Sequence, residues 1–319
     1  MNNNLLCRAL VLLAVAIAWI PARAGDTPAS PHYTYVIVHG AWGGGYGFRE
    51  VDRLLTADGH TVYRPTLTGQ GEKVHLASPE INLTTHINDI VNVILFEDLH
   101  DVILVGHSYG GMVITGVMDR VPERIRHVIF LDAAEPDDGQ SYFDLFPVSR
   151  YPAPPVRDGF IMPPYAAANR PIPHGVPQSL KTWTEPVSFK NPAAKRLQVT
   201  FVQFFRPGQT PEQGDAYFLW QRALERGWTT RTMVSDHNAQ NSHPRELVAL
   251  LEDAPKDRNQ PNPEGGIKGT KPLAPPSAAA TPPLAARPAA VTGAVFRSET
   301  FWDDTRNICA RPGFDQCCV

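Results

Sequence analysis

Five residues, Gly106-His107-Ser108-Tyr109-Gly110, constrain this chain more than any other feature. They follow the apolar run Val102–Val105 directly and lead into Met112–Val121, a segment of helical period. A turn from buried strand to helix this tight leaves almost no room for side chains two places before and after the serine, and both places are glycine. The serine is forced into a strained backbone, with its hydroxyl above the sheet edge and at the positive end of the helix. Ser108 is therefore the candidate nucleophile, and the chain must supply a sheet to carry it.

The flanking sequence supplies one. Tyr33–Val38, Thr61–Tyr63, Val102–Val105, His127–Leu131, Val199–Phe204 and Trp228–Val234 read as strands, most of them apolar without alternation. Between them, Phe48–Asp58 places Phe48, Val51, Leu54 and Leu55 on one helical stripe and stops at Gly59, and Thr84–Glu97 does the same with Ile87, Ile90, Val91, Ile94 and Leu95. Arg245–Leu251 reads as a final helix. Strands apolar on both faces, alternating with helices, predict an α/β fold: a mostly parallel sheet of about six strands covered on both sides. The stretch 133–196 breaks the alternation. It is rich in proline and aromatics (Tyr142, Phe143, Phe146, Tyr151, Phe160, Tyr165, Trp183) and is expected to form a cap.

The ends of the chain differ from its middle. Arg8, the apolar run Ala9–Ile20 and the small residues Ala22-Arg23-Ala24 read as a secretory signal over 1–24. The run of twelve residues is shorter than the ~20 a spanning helix needs, so no stable membrane span is expected after cleavage. The domain division that follows is signal 1–24, catalytic domain 25–253 and tail 254–319, expected to be disordered from its proline and alanine content. Export would place the protein in the periplasm or outside the cell, an oxidising setting. Cys309, Cys317 and Cys318 all lie in the tail, and one of the three must stay unpaired or bridge to another molecule. The 43% hydrophobic and 19% charged content fits a globular enzyme, and a net charge of −3 argues against a nucleic-acid surface.

A serine hydroxyl needs a base. His237 follows the last strand by three residues and precedes the last helix, whereas the rival His243 stands next to Pro244 at that helix's start. His107 lies within the turn, points away from the serine and is read as structural. The oxyanion of acyl transfer needs two backbone N–H donors. Tyr109, after the nucleophile, would give one. Ala41, in the loop His39-Gly40-Ala41-Trp42-Gly43-Gly44-Gly45 after the first strand, would give the other. No Lys-Ser/Thr follows those glycines, which excludes a Walker-type phosphate loop. No cluster has metal-ligand spacing. Trp42, Met112, Phe143, Phe146 and Trp183 are candidates to line a substrate pocket, or to pack. Asn82-Leu83-Thr84 matches a glycosylation triplet.

The blocks His39-Gly40-Ala41-Trp42, Pro65-Thr66-Leu67-Thr68-Gly69, Val105 to Met112 and Phe130-Leu131-Asp132-Ala133 resemble the plant methylesterase and hydroxynitrile lyase branch of the α/β hydrolases, and most nearly its bacterial esterase-like members. The likeness spans about 33–253, is dense up to Ser141, thins through the cap, and resumes at His237 and Pro244-Arg245-Glu246-Leu247. It implies the α/β-hydrolase fold, a Ser-Asp-His triad, a cap over a mostly apolar pocket, a small-molecule ester substrate and no cofactor. Two positions depart from it. Lyases of this branch keep a lysine after the catalytic histidine, where this chain has Asn238. The plant acid follows the strand matching Val199–Phe204, where this chain reads Phe205-Arg206-Pro207-Gly208-Gln209-Thr210 without a carboxylate. Asp132, ending the preceding strand, is the first candidate for the acid, with Asp215 second and Glu212 third. The expected activity is serine esterase. A non-catalytic receptor using the same pocket, or a lyase or perhydrolase side activity, stays as an alternative.

Overall fold

The computed structural model of the 319-residue chain describes residues 31–164, 171–214 and 217–257. The expected signal segment 1–24, Tyr165, Asp215, the tail past Asp257 and the cysteines at 309, 317 and 318 lie outside the described residues. Met1–His32 and Tyr33–Val319 form separate units.

Strand β1 (Thr34–Val38) runs into the glycine-rich loop, after which come α1 (Arg49–Ala57), β2 (Thr61–Tyr63) and α2 (Leu83–Phe96). Then follow β3 (Val102–His107), α3 (Gly110–Arg120) and β4 (Ile125–Leu131). The cap carries α4 (Tyr142–Leu145), the two-residue strands β5 (Val156–Arg157), β6 (Phe160–Ile161) and β7 (Gln178–Ser179), and α5 (Lys181–Thr184). The chain returns through β8 (Val199–Phe205), α6 (Tyr217–Glu225), β9 (Thr229–Val234), α7 (Ala239–Ser242) and α8 (Pro244–Asp253). Six strands form one parallel sheet in the order β2-β1-β3-β4-β8-β9. The predicted parallel sheet with helices on both faces is what the chain forms.

The unbroken apolar strands are explained by two cores. Alternate residues of β3 and β4 divide between them: Leu104, Val128 and Phe130 pack with α2 and α3, while Ile103, Val105, Ile129 and Leu131 pack with α1 and α8. Each fully buried residue of this size contributes roughly 1.5–3 kcal/mol. The last strand departs from this pattern. β9 lies at the sheet edge and buries only Met233, so its threonines face partly outward. Helix α6 was not expected from the sequence. It buries only Leu219 and Ala223, and its aromatics are half-covered, which blurs the helical period.

The segment between β4 and β8 is joined to the helices of the sheet by hydrogen bonds. Asp119 at the end of α3 accepts from the backbone N–H of Lys190 and Asn191 at 2.6 and 2.7 Å. Glu185 accepts from the Thr84 backbone N–H and hydroxyl at 3.0 and 2.7 Å. Asn82 of the glycosylation triplet caps α2, its Oδ1 accepting from the Thr85 N–H at 2.9 Å. Glu135 is fully buried and pairs with Arg222 at 2.8 Å and with Arg226.

Candidate active site

All six strands point the same way, so their carboxyl ends share one edge, where sites of open α/β sheets form. His39 follows β1, Ser108 follows β3, Asp132 follows β4 and His237 lies three residues past β9. The turn at Ser108 is built as its sequence predicts. Ser108 has φ of 54°, in the left-handed region that costs a non-glycine residue energy. A Cβ on Gly110 would stand 2.6 Å from the Val38 carbonyl oxygen, so only glycine lets α3 start this close to β1. The Ser108 carbonyl accepts from the N–H of Gly111 and of Ala134, both at 3.0 Å. The turn is thus bolted to the loop that carries Asp132.

The structure brings His237 and Asp132 together across 105 residues of chain: Nδ1 of His237 donates to Oδ2 of Asp132 at 2.6 Å. Asp132 is itself held in a left-handed conformation, φ 44°, with its N–H on the Val202 carbonyl at 2.7 Å. The pair is mostly covered, with side chains 17% and 10% exposed. A hydrogen on Nδ1 leaves Nε2 as the acceptor nitrogen, the tautomer a serine base requires. That Nε2 is buried with no hydrogen-bond partner among the described residues. Glu212 is elsewhere, exposed and bonded to Thr210. His243 caps α8 and shares hydrogen bonds with Ser235 and Ser242.

His107, expected to be structural, packs against His237. Its Nε2 donates to the His237 carbonyl at 2.7 Å, and the two rings lie 4.7 Å apart. Burial pushes its pKa down to about 3, with His237 adding to the effect. It is therefore a neutral donor at physiological pH and latches the backbone of His237. No local pattern marks such a role, because its partner is 130 residues away.

The glycine-rich loop lies against the serine. A Cβ on Gly40 would stand 2.9 Å from Ser108 Cβ and 3.1 Å from His107 Nδ1, so the backbone leading into Ala41 packs directly on Ser108. His39 fixes that backbone. Its Nδ1 donates to the Gly40 carbonyl at 2.8 Å and its Nε2 accepts from the Leu67 N–H at 3.1 Å. Burial lowers its pKa to about 4, which keeps both roles available. Trp42 takes a left-handed φ of 59° and donates its N–H to Gln178 Oε1 of the cap at 3.1 Å. On the other side, the Tyr109 hydroxyl donates to His86 Nδ1 at 2.9 Å, and His86 Nε2 donates to the Thr68 carbonyl at 3.0 Å. The Gly40–Ala41 peptide and the Tyr109 side chain are thus each held by a buried neutral histidine.

Trp42 and Trp183 pack on each other, ring centres 5.4 Å apart, and Tyr142 and Phe143 close on Trp183 at 4.2 and 5.6 Å. They form the aromatic contact between the cap and the loop. The Trp42 ring N–H is fixed on the Ile161 carbonyl at 3.1 Å. A cavity of about 210 Å³ lies against the other side of the loop, between it, the segment after His237 and the cap residues His174 and Gly175. Among the described residues no group of three His, Cys, Asp or Glu side chains could hold a metal ion, and no helix is long and apolar enough to cross a membrane.

Comparisons with known proteins agree with this geometry. Residues 35–294 match the Alpha/beta hydrolase family. A carbendazim hydrolyzing esterase of Nocardioides sp. (strain SG-4G) is 35% identical over 240 residues, covering 68% of this chain and 97% of that enzyme. Methylesterase 1 of Arabidopsis thaliana is 32% identical over 109 residues, 34% of this chain and 41% of that protein. Among solved structures, an extracellular alpha/beta-hydrolase from a Paenibacillus species superposes with a TM-score of 0.58 at 24% identity, over 70% of this chain and 100% of its own. The methylesterase MES16 from Arabidopsis does so at 0.55 and 22%, over 70% and 98%. At these identities the two structures speak for the fold.

Proposed function

The chain belongs to the alpha/beta hydrolase family, and we propose that it is a serine hydrolase cleaving small carboxylic esters through an acyl-enzyme. The observation that carries this reading is the 2.6 Å pair of His237 and Asp132 at the sheet edge that also bears the strained Ser108. The esterases among its relatives support an ester as the substrate.

In this reading Ser108 Oγ attacks the ester carbonyl carbon while its proton passes to His237 Nε2. Asp132 stabilises the imidazolium that forms and keeps the ring oriented. The carbonyl oxygen becomes an oxyanion, held by the N–H groups of Ala41 and Tyr109. Collapse breaks the bond to the leaving oxygen, which takes the proton from His237, and the acyl group stays on Ser108. Water then repeats the sequence, giving its proton to His237, and releases the acid. His39, His86 and His107 are neutral by burial, so they add no charge to compete with the imidazolium.

The test is turnover of p-nitrophenyl acetate and labelling by a fluorophosphonate probe. Ser108→Ala is expected to abolish both. An unlabelled wild-type protein would instead mark a receptor that kept the fold and lost the chemistry. We also propose export, with signal 1–24 removed from a catalytic domain at 25–253 and its cap at 133–196. N-terminal sequencing of the protein recovered from outside the cytoplasm checks it, and a retained Met1 would refute it.

A further inference from the structure

Trp42 follows Ala41 directly, and what holds it comes from outside the parallel sheet. Its backbone N–H donates to Gln178 Oε1 at 3.1 Å, its carbonyl accepts from the Val176 N–H at 2.9 Å, and its ring N–H donates to the Ile161 carbonyl at 3.1 Å. Ile161 and Gln178 face each other across the antiparallel pair of β6 and β7. One rung of this small sheet thus grips both the main chain and the ring of Trp42. The Gln178 amide is oriented by its two partners. A backbone N–H can only donate, so the amide oxygen faces Trp42. Its Nε2 then donates to the Thr182 hydroxyl at 2.8 Å, which passes its own hydrogen to the Ser179 carbonyl at 2.7 Å. Gln178 and Thr182 are fully buried, which shields these bonds from competing solvent.

The two N–H groups that hold the oxyanion in the proposed reaction are fixed by different means. That of Tyr109 belongs to the turn itself. The Ser108 and Tyr109 carbonyls accept from the N–H of Gly111 and Met112 at 3.0 and 2.9 Å, so strand β3 and helix α3 set its direction. The Ala41 N–H lies in the peptide between Gly40 and Ala41, whose carbonyl His39 holds at 2.8 Å. The next peptide carries the Trp42 N–H, and Gln178 holds that one. With both flanking peptides fixed, the two torsions of Ala41 between them are fixed as well. Release of the second peptide leaves the first tethered at one end. Trp42 also keeps a φ of 59°, which persists in a non-glycine residue only where its surroundings enforce it. Ile161, Val176 and Gln178 enforce it here.

We propose that Gln178 is the positioning residue for the Ala41 oxyanion donor, so that the segment between β4 and β8 completes an anion site the parallel sheet leaves half-fixed. The proposal rests on the ester-hydrolase reading. Its test measures Gln178→Met, close in shape and without the acceptor, on p-nitrophenyl acetate and on a trifluoromethyl ketone. Ser108 Oγ adds to the ketone carbon, His237 takes the proton and the ketone oxygen becomes the oxyanion, so the inhibition constant reads the anion site. Outright loss of an oxyanion donor costs about 10²–10³ in kcat. A donor loosened at one end should cost about tenfold at unchanged KM, and the inhibition constant should rise by the same factor. Gln178→Glu, kept protonated by its burial, retains both bonds and should recover part of each loss. Thr182→Val, which removes the acceptor that orients the amide, should act in the same direction. Asp119→Ala cuts two bonds that hold the same segment to α3, and should lower Tm while leaving kcat and inhibition in place. If it moves them as Gln178→Met does, the effect is general loosening and the positioning role falls. The role also falls if Gln178→Met and Thr182→Val both stay within about twofold of wild type on both measures, with Ser108-dependent hydrolysis present. Absence of that hydrolysis in the wild type overturns the esterase reading and the positioning role with it.

Discussion

Replacing Asp132 with asparagine keeps the volume of the side chain, tolerates the left-handed backbone at φ 44°, and removes only the charge. The wild-type carboxylate accepts the Nδ1 hydrogen of His237 at 2.6 Å in a mostly covered site. A charge-assisted hydrogen bond of this kind is worth up to ~3 kcal/mol. Its loss when the imidazolium forms slows the chemical step by about 10². The amide has a second effect. If its N–H turns towards His237, Nδ1 must become the acceptor and Nε2 carries the hydrogen, which cannot take a proton from Ser108. That inversion extends the loss to roughly 10⁴. The expected result on p-nitrophenyl acetate is a kcat lowered by 10² to 10⁴ with KM changed little. Asp215→Asn, made in parallel, should stay near wild type. The reasoning is refuted if Asp132→Asn keeps a third of wild-type kcat while Asp215→Asn is inactive.

His107→Phe should lower kcat about tenfold at constant KM, because the His237 carbonyl loses its 2.7 Å donor. His107→Gln, which can still donate, should recover part of the loss, and equal loss in both variants would deny the latch. Glu135→Ala strands two arginines that are each only partly exposed and should cost ~3 kcal/mol, seen as a Tm lower by roughly 6–12 °C; an unchanged Tm would sink this account of the ion cluster. Acid should weaken the fold. His39, His86 and His107 are lowered by burial from 6.5 to about 4, about 4 and about 3, so below pH 6.5 the unfolded chain binds protons that the folded one refuses. Their contribution is whole above about pH 6.5 and falls as pH drops towards 4, by ~1.4 kcal/mol per pH unit for each histidine. Urea midpoints at pH 7.5 and 5.5 measure this, and equal midpoints would contradict it.

Much of the molecule is written in short-range chemistry. A Cβ at Gly106 or Gly110 beside Ser108 would clash with its neighbours, and successive residues of β3 and β4 are apolar because each face meets its own core. The turn and the strands could therefore be read from spacing alone. Where faces are half-covered the pattern fades, as in α6 and in the edge strand β9. The acid was another matter. Asp132, Asp215 and Glu212 are alike as residues, and what joins Asp132 to His237 is the sheet order, which sets β4 beside β3 and carries the chain back past β8 and β9. The His107 latch has the same origin. Partners more than a hundred residues apart leave no mark on local sequence; only packing the strands side by side decides which of them meet.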